Sequence, residues 1–281
     1  MNYLFITNPQ FMKRTLIIFN LFFSVFIIQS CSKSTDTASS NTSAQTATFS
    51  VSLVDAPVAY DKVLIDIQDV QVKASTDASD TGWKSLTIGR KGVYNVLDFK
   101  NGLDTLLGKI TLPAGTISQL RLVLGTNNSV VYNGISSSMQ TPSAQQSGLK
   151  LLINATIQAG VDYKYWIDFD AAKSIVHTGN NNFILKPVIK VFNEATSGAI
   201  KGVVSPANTK SVLFAITSAN DTVASTQADT TTGSFLLRGI AAGNYAVNIH
   251  VTNGSYKDST KNNVTVTNGF VTDLTTITLH Q

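Results

Sequence analysis

The chain has 281 residues, and 21 lysines and arginines against 17 aspartates and glutamates give it a formal net charge of +4 at pH 7. Only 14% of the residues are charged and the basic ones are not clustered, so the sequence argues against a nucleic-acid-binding face and predicts no nucleic-acid partner. Its single cysteine excludes an intramolecular disulfide.

The N-terminal segment has the pattern of a secretion signal. The basic pair Lys13-Arg14 is followed by an apolar run from Leu16 to Ile28 and then by the single cysteine, Cys31. This run has 13 residues, fewer than the roughly 20 that a membrane-spanning helix needs. Translation starts either at Met1 or at Met12, because a signal normally begins with its charges.

The end of this segment, Ile28-Gln29-Ser30-Cys31, resembles the lipobox of bacterial lipoproteins. In that family the cysteine thiol is diacylated, the signal is cut before it, and the cysteine becomes the N-terminus. The resemblance implies a signal peptide over 1–30 and an acylated Cys31 that anchors the protein in a lipid bilayer. Because Ser32 rather than aspartate follows, it also implies the outer membrane. The plainer alternative is an ordinary signal peptide with an incidental cysteine.

The part of the chain after the cysteine divides into a tether and a series of strands. Residues 32–48 are nearly all Ser, Thr, Ala, Asn and Gln, which predicts a flexible tether over 31–48. Beyond it, apolar residues alternate with polar ones and turn residues recur at short intervals, which predicts an all-β fold of antiparallel sandwiches. The alternating sets are Phe49, Val51, Leu53; Val63, Ile65, Ile67, then Val70, Val72; Leu120, Leu122, Leu124; and Leu149, Leu151, Ile153.

Three local signals interrupt the strand pattern. Leu103–Leu107 and Asp170–Ile175 predict short helical turns, the second with Asp170 as its N-cap. Pro187 has no N–H to donate to a sheet, which predicts an edge strand or a bulge between Phe183 and Phe192.

A fresh set of strand patterns begins after residues 193–198, with Ile200, Val203, Val204 and then Val212, Phe214, Ile216. It predicts a boundary between two tandem β-sandwich domains, 49–194 and 197–281. The predicted core of the second domain consists of Val203, Phe214, Phe235, Tyr245, Val247 and Val266.

Several motifs of the first domain occur in the order of a known family. They are Leu53-Val-Asp55-Ala-Pro57 with Tyr60-Asp61 after it, Leu112-Pro-Ala-Gly115-Thr, Asp168-Phe-Asp170-Ala-Ala-Lys173 and Phe183-Ile-Leu-Lys186-Pro-Val188. The segment resembles the domain of unknown function 4382, which is common in bacterial lipoproteins. The resemblance implies an all-β extracytoplasmic domain without an assigned activity.

The second domain carries a different set of motifs, Thr232-Gly233-Ser-Phe235 and Gly243-Asn-Tyr245-Ala-Val247. It resembles the carboxypeptidase regulatory-like domain, a small transthyretin-like β-sandwich. In that family the module is a stalk, a spacer or a carbohydrate-proximal accessory without catalysis, and the resemblance implies the same here.

The candidate site residues lie on one strand. Alternation along 165–170 places Trp166, Asp168 and Asp170 on one face, and an aromatic ring beside two carboxylates is compatible with a sugar or calcium site. Asp55 is a further candidate ligand, and calcium is the only cofactor that the sequence suggests. The more ordinary explanation is structural: the aspartates cap turns and pair with nearby lysines. Tyr60 is a candidate exposed platform, although an isolated aromatic residue in a sandwich usually belongs to the core.

Catalytic motifs are missing from the sequence. The three histidines, His177, His250 and His280, are far apart, and no Cys/His metal spacing, serine elbow or phosphate-binding glycine loop occurs. We therefore predict no enzyme but a binding or scaffolding protein of the envelope, with glycans or envelope proteins as partners. An exposed aromatic or acidic patch on the first domain would favour binding. Evenly polar surfaces would favour a purely structural stalk, and a cleft with a perturbed carboxylate pair would favour a hydrolase.

Overall fold

The computed structural model describes residues 46–73, 81–141, 148–178 and 182–281. The predicted signal peptide, Cys31 and most of the predicted tether lie outside these residues. The first strand begins at Thr46, three residues before the predicted start of the domain. Ala47 explains the difference, because it is buried and pairs with Leu112 of another strand.

The first module, residues 46–193, is built almost wholly from strands. They are β1 (Thr46–Asp55), β2 (Lys62–Lys73), β3 (Trp83–Ser85), β4 (Thr87–Ile88), β5 (Gly92–Asn95), β6 (Thr105–Pro113), β7 (Gly115–Leu124), β8 (Ser129–Tyr132), β9 (Ile135–Gln140), β10 (Leu149–Ile157), β11 (Asp162–Phe169), β12 (Ile175–His177), β13 (Phe183–Leu185) and β14 (Ile189–Asn193). A 3-10 helix (Val96–Phe99) follows β5, and a one-turn helix α1 (Ala171–Ser174) follows β11.

Two sheets of this module enclose one core. The smaller has the order β14-β11-β1-β6-β4, and the larger has the order β10-β7-β2-β8-β9-β13-β12, with β3 and β5 also paired to β2. Alternate side chains of both sheets are buried together, among them Phe49, Leu53, Ile65, Leu120, Ile167 and Phe169. Burial of these apolar side chains is the main stabilising contribution.

The second module, residues 198–279, has a core of its own. Its strands are β15 (Gly198–Ser205), β16 (Val212–Ile216), β17 (Thr222–Gln227), β18 (Ser234–Ile240), β19 (Gly243–His250), β20 (Ser259–Val266) and β21 (Val271–Thr278), and short 3-10 helices span Glu194–Thr196 and Ala207–Thr209. They form the sheets β18-β15-β21 and β17-β16-β19-β20. The all-β, sandwich-like fold predicted from the sequence is confirmed.

A bulge explains the change of phase in β2. Val63, Ile65 and Ile67 are buried at odd positions, whereas Val70 and Val72 are buried at even ones. The pairing of β2 with β7 shifts its register between Ile67 and residue 69, and one extra residue turns the following side chains to the opposite face. Both halves of the apolar pattern therefore reach the same core.

The helical turn predicted at Leu103–Leu107 is wrong. Residues from Thr105 onward form β6, in which Leu106 is exposed and Leu107 is buried, as in a strand. Pairing with β1 explains the strand, because Leu106 lies opposite Ser52 in the β1–β6 ladder. The hydrogen bonds and burial of this ladder outweigh the weak local preference for a helix. The turn predicted at Asp170–Ile175 is confirmed as α1, with Asp170 as its cap.

Pro187 lies neither in an edge strand nor at a bulge. It falls between β13 and β14, which belong to different sheets, so no ladder needs its missing N–H. No helix in the part of the chain that the structure describes is long and apolar enough to span a membrane.

The predicted core of the second module is partly wrong. Phe235, Val247 and Val266 are buried and the half-buried Tyr245 packs against this core, but Val203 and Phe214 are partly exposed and lie outside it. In β16 the buried residues are Leu213 and Ala215, because Leu213 lies opposite the buried Ile249 of β19. A strand that is apolar on both faces has no internal signal for which face points inward.

Candidate functional site

Trp166 lies on the outer face of β11, where it contacts the second module. Only 5% of it is exposed, and its ring stacks on that of Phe192 with centroids 5.6 Å apart. Its Nε1 donates a hydrogen bond to Asp104 Oδ2 (2.8 Å), which also accepts from Arg238 Nη1 (3.2 Å). The Arg238 guanidinium lies 5.7 Å from the centroid of the Trp166 ring. The indole is thus committed to the contact between the modules.

The backbone of the second module also comes close to the first module at this contact. Gly239, at the end of β18, has φ +68°, and a Cβ there would lie 2.6 Å from a ring carbon of Phe192. The Lys190 amine donates to the carbonyl oxygens of Val223 (3.1 Å) and of Gly239. Polar and apolar contacts from β11 and β14 therefore hold the second module directly.

Asp168 is the next outward-facing residue after Trp166 on β11, and its cross-strand neighbours are Val54 and Lys190. Burial raises the pKa of Asp168 to about 6. Lys190 and Lys173 oppose this shift, and the charge of Asp170 adds to it. Asp168 thus occupies a poorly hydrated position at the module contact.

Asp170 has a local structural role. Its Oδ1 accepts from the backbone N–H of Lys173 (3.0 Å), and its Oδ2 accepts from the Lys173 amine (2.7 Å). The first bond caps α1, and the second is a partly exposed ion pair. Both carboxylate oxygens of Asp170 therefore have partners, as expected of an aspartate that caps a turn and pairs with a nearby lysine.

Asp55, at the end of β1, is only 6% exposed. Its Oδ1 accepts a long hydrogen bond from the backbone N–H of Ala171 (3.3 Å), whereas its Oδ2 has no hydrogen-bond partner. Burial raises the pKa of Asp55 well above its usual value, and the charges of Asp168 and Asp170 add to the shift. The structure thus places Asp55, Asp168 and Asp170 close enough for their charges to interact.

The space beside these carboxylates is small. A cavity of about 30 Å³ is lined by residues that include Asp55, Asp168 and Thr226, and one of about 160 Å³ by residues that include Asp168 and Asp170. Ligand sites of small molecules typically measure about 300–1,000 Å³. Within the described residues, no group of three or more His, Cys, Asp or Glu side chains is placed to hold a metal ion.

A larger opening, which we call the junction cleft, lies elsewhere between the two modules. Its volume is about 640 Å³, and its lining includes Tyr60, Asp61, Asn95, Asp98, Leu103, Gln227 and Asp229. Lys100 Nζ donates to Gln227 Oε1 (2.9 Å), and Asn101 Nδ2 donates to the carbonyl of Ser234 (2.9 Å), so cross-module bonds lie along its wall.

Each acidic residue of the junction cleft is exposed and uses one carboxylate oxygen in hydrogen bonds within its own module. Asp61 Oδ2 accepts from Gly134 N (2.8 Å), and Asp98 Oδ1 accepts from Asn95 Nδ2 (2.6 Å). Asp229 Oδ1 accepts from Thr232 N (2.7 Å) and other donors of the same turn, which lowers the pKa of Asp229. In all three, the second carboxylate oxygen lies outside these bonds.

An aromatic patch, which consists of Tyr60, Tyr132, His177 and Phe183, adjoins the cleft. Tyr60 and Tyr132 meet edge to face with centroids 5.6 Å apart, and His177 stacks on Phe183 at 4.5 Å. Tyr132, at the β8–β9 hairpin, is 37% exposed. Tyr60 belongs to both patch and cleft, so the two surfaces are continuous.

Sequence reasoning missed most of this cleft. It singled out Tyr60, and Tyr60-Asp61 was part of a family motif, but Asp98 and Asp229 carried no signal. Their segments are far apart in the chain and meet only where the modules contact each other.

Residues 46–187 match the family described as Domain of unknown function (DUF4382). The chain belongs to this family. The match spans β1 to β13, so the resemblance predicted for the first module is confirmed, and the DUF4382 domain supplies the aromatic patch and one side of the junction cleft. No curated protein matches the chain.

Three solved structures are similar to the chain at low identity. The Bacillus anthracis TIE protein is 10% identical, with a TM-score of 0.23, over 84% of this chain and 34% of that one. A leucine-rich repeat protein from Bacteroides thetaiotaomicron is 16% identical, with a TM-score of 0.22, over 83% and 26%. GBS52, the minor pilin of Streptococcus agalactiae, is 14% identical, with a TM-score of 0.23, over 82% and 95%. The chain thus spans about a third and about a quarter of the first two. At these TM-scores, the likenesses support no functional conclusion.

Proposed function

We propose that this protein is a lipid-anchored, extracytoplasmic binding protein of the bacterial envelope that binds a glycan in the junction cleft. The observation that carries the proposal is the continuity of the aromatic patch with a cleft lined by exposed carboxylates and amides. Binding is favoured over a purely structural stalk by exposed rings and carboxylates on the first module, those of Tyr132, His177, Asp61 and Asp98.

The chemistry of the cleft suits a ligand rich in hydroxyl groups. An ionised carboxylate only accepts hydrogen bonds, so Asp61, Asp98 and Asp229 offer acceptors to the hydroxyl donors of a sugar. Tyr60 and Tyr132 offer ring faces and edges to the C–H groups of a pyranose. Sites of this kind commonly combine an apolar wall with a few convergent polar groups at a domain junction.

The alternative of a carboxylate-dependent hydrolase has one observation in its favour, the raised pKa values of Asp55 and Asp168. The two residues line a cavity of about 30 Å³, which has no room for a sugar or a peptide. Burial at the module contact explains their pKa shifts without catalysis, and we propose that the protein is not an enzyme.

The anchor and the second module complete the proposal. Acylation of Cys31 would hold the protein on the outer membrane, since each buried CH₂ of an acyl chain contributes about 0.8 kcal/mol. The second module would serve as a carboxypeptidase regulatory-like accessory that builds the other wall of the cleft, consistent with its two small sheets. Envelope proteins are the alternative class of partner for the same surface.

Glycan binding is tested with the full chain and a panel of neutral polysaccharides, by affinity electrophoresis and calorimetry. We expect Tyr132→Ala and Asp98→Asn each to weaken binding about tenfold or more, because each removes a contact but little stability. Phe270→Ala is the matched control, since Phe270 is 68% exposed and lies on the second module, outside the patch. Absence of binding to every polysaccharide, or an equal loss in Phe270→Ala, would contradict the proposed site.

The anchor is tested separately by metabolic labelling with palmitate. We expect the wild-type chain to incorporate label and partition into detergent, and Cys31→Ser to do neither. Labelling of the Cys31→Ser chain would show that the anchor has been misassigned, whatever the glycan result.

A further inference from the structure

Two buried polar side-chain atoms, one from each module, have no hydrogen-bond partner and belong to residues that line one cavity. Asp55 Oδ2 belongs to the first module and Thr226 Oγ1 to the second, and Asp55 and Thr226 are 6% and 2% exposed. Both residues line the same cavity of about 30 Å³. Unsatisfied buried polar atoms are rare in folded proteins, and two at one small cavity indicate a species that interacts with both.

The charges around the cavity are unevenly compensated. Asp168 also lines it and has Lys190 as its cross-strand neighbour. The side-chain charges that act on Asp55 are those of Asp168 and Asp170, both of the same sign as its own. Arg238 lines the cavity as well, but its guanidinium is paired with Asp104.

We propose that this cavity holds one hard cation, with Asp55 Oδ2 and Thr226 Oγ1 among its ligands, which joins the two modules. Apart from Arg238, the polar side chains that line it are those of Asp55, Asp168, Asn101, Ser225 and Thr226, which offer oxygen ligands and include no cysteine or histidine. Such ligands suit Ca²⁺ or Na⁺ rather than a transition metal.

The size and the position of the cavity fit this assignment. A cavity of about 30 Å³ exceeds the roughly 10–15 Å³ that one water molecule needs and has room for a single ion. Ca²⁺ takes about six to eight oxygen ligands, and the side-chain oxygens of Asp168, Asn101 and Ser225 would add to those of Asp55 and Thr226. Because ligands come from both modules, the ion binds only where the modules are in contact and stabilises that contact by mass action.

The test measures thermal unfolding of the full chain in EGTA, in millimolar CaCl₂ and in raised NaCl, together with calorimetric titration of Ca²⁺. We expect Ca²⁺ to raise Tm by about 3 °C or more. Asp55→Asn should abolish the increase and the binding heat, and Thr226→Val should weaken both. Asp162→Asn, an exposed aspartate on the same strand as Asp168, should retain both.

Three outcomes would overturn the proposal. The first is the absence of both a Tm shift and binding heat with either cation, which would leave a water molecule or a proton as the occupant. The second is a shift that Asp55→Asn retains, and the third is an equal loss in Asp162→Asn. A shift with NaCl alone that Thr226→Val weakens supports the proposal with Na⁺ as the ion. Thr226→Val keeps the test decisive if Asp55→Asn fails to fold.

Discussion

Aspartates occur in two regions of the module contact, the junction cleft and the buried surface around Trp166, and their environments differ. In the junction cleft, Asp98 and Asp229 are exposed, and local hydrogen bonds lower the pKa of Asp229. Beside Trp166, burial raises the pKa values of Asp55 and Asp168. The aspartates of the cleft are hydrated and available to a ligand, whereas those of the contact are buried between the modules.

The largest expected effect is that of Trp166→Ala. The change removes a buried indole, its stacking on Phe192 and its hydrogen bond to Asp104, and should lower the free energy of unfolding by about 3–5 kcal/mol. Urea denaturation followed by circular dichroism measures it. Trp83→Ala, at a partly exposed tryptophan of the first module, should cost clearly less. If both variants lost the same free energy of unfolding, the module contact would contribute no more to stability than the rest of the surface.

Gly239→Ala tests the close approach of the modules. Gly239 has φ +68°, and the added Cβ would meet the Phe192 ring at 2.6 Å, so we expect a loss of about 1–3 kcal/mol. Gly134 is the matched control, because it has φ +76° with open space around its Cβ position. Gly134→Ala measures the backbone strain alone. If the two variants lost the same free energy of unfolding, the Phe192 ring would move aside at no cost and the close approach would not matter.

The pH dependence of stability sharpens the comparison further. The pKa of Asp168 is raised from 3.8 to about 6, so the folded state binds its proton more tightly than the unfolded state. This contribution to the free energy of unfolding is fully present below about pH 4 and is lost as pH rises through about 6, and it amounts to about 3 kcal/mol. Urea denaturation in EGTA at several pH values should show that the free energy of unfolding falls over this range. Asp168→Asn should reduce the fall, and the buried Asp55, whose pKa is also raised, accounts for the remainder.

Asp258→Asn is the control of opposite sign. Hydrogen bonds from Val251 and His250 lower the pKa of the exposed Asp258. Its contribution to the free energy of unfolding is therefore present above the pKa that Asp258 has in the unfolded chain, and it declines as the pH falls. If Asp258→Asn instead removed the fall between pH 4 and 6, the assignment of that fall to Asp168 would be wrong.

The smallest expected effect is that of Asp98→Asn on stability. Asp98 is exposed and its bond is to the neighbouring Asn95, so the free energy of unfolding should change by no more than about 0.5 kcal/mol. Urea denaturation beside the wild-type chain measures it. A larger loss would place the cleft among the structural contacts and would remove Asp98→Asn as a clean test of glycan binding.

Local patterns were sufficient for much of the fold. Alternation predicted β1, β2, β7 and β10, and Asp170 was recognised as the cap of α1 because capping depends on three or four consecutive residues. The same kind of reasoning placed a helical turn at Leu103–Leu107, where pairing with β1 produces a strand instead. Local propensity was overridden there by a ladder to residues some fifty positions away.

The candidate site shows the limit of sequence reasoning more clearly. Alternation correctly placed Trp166 and Asp168 on one face of β11, but it could not show what covers that face. The second module covers it, which turns a candidate sugar platform into a buried contact. Two acidic residues of the junction cleft, Asp98 and Asp229, belonged to no motif, because they come from segments far apart in the chain.

By itself, the sequence determined the all-β class, the family of the first module and the strand faces wherever apolar and polar residues alternate strictly. The tertiary structure decided which face of β16 is buried, where β2 changes phase, and which aspartates lose water. Alternation and capping are properties of a few neighbouring residues. Hydration and pKa instead depend on the surfaces that meet across the module contact, and those surfaces are assembled from residues far apart in the chain.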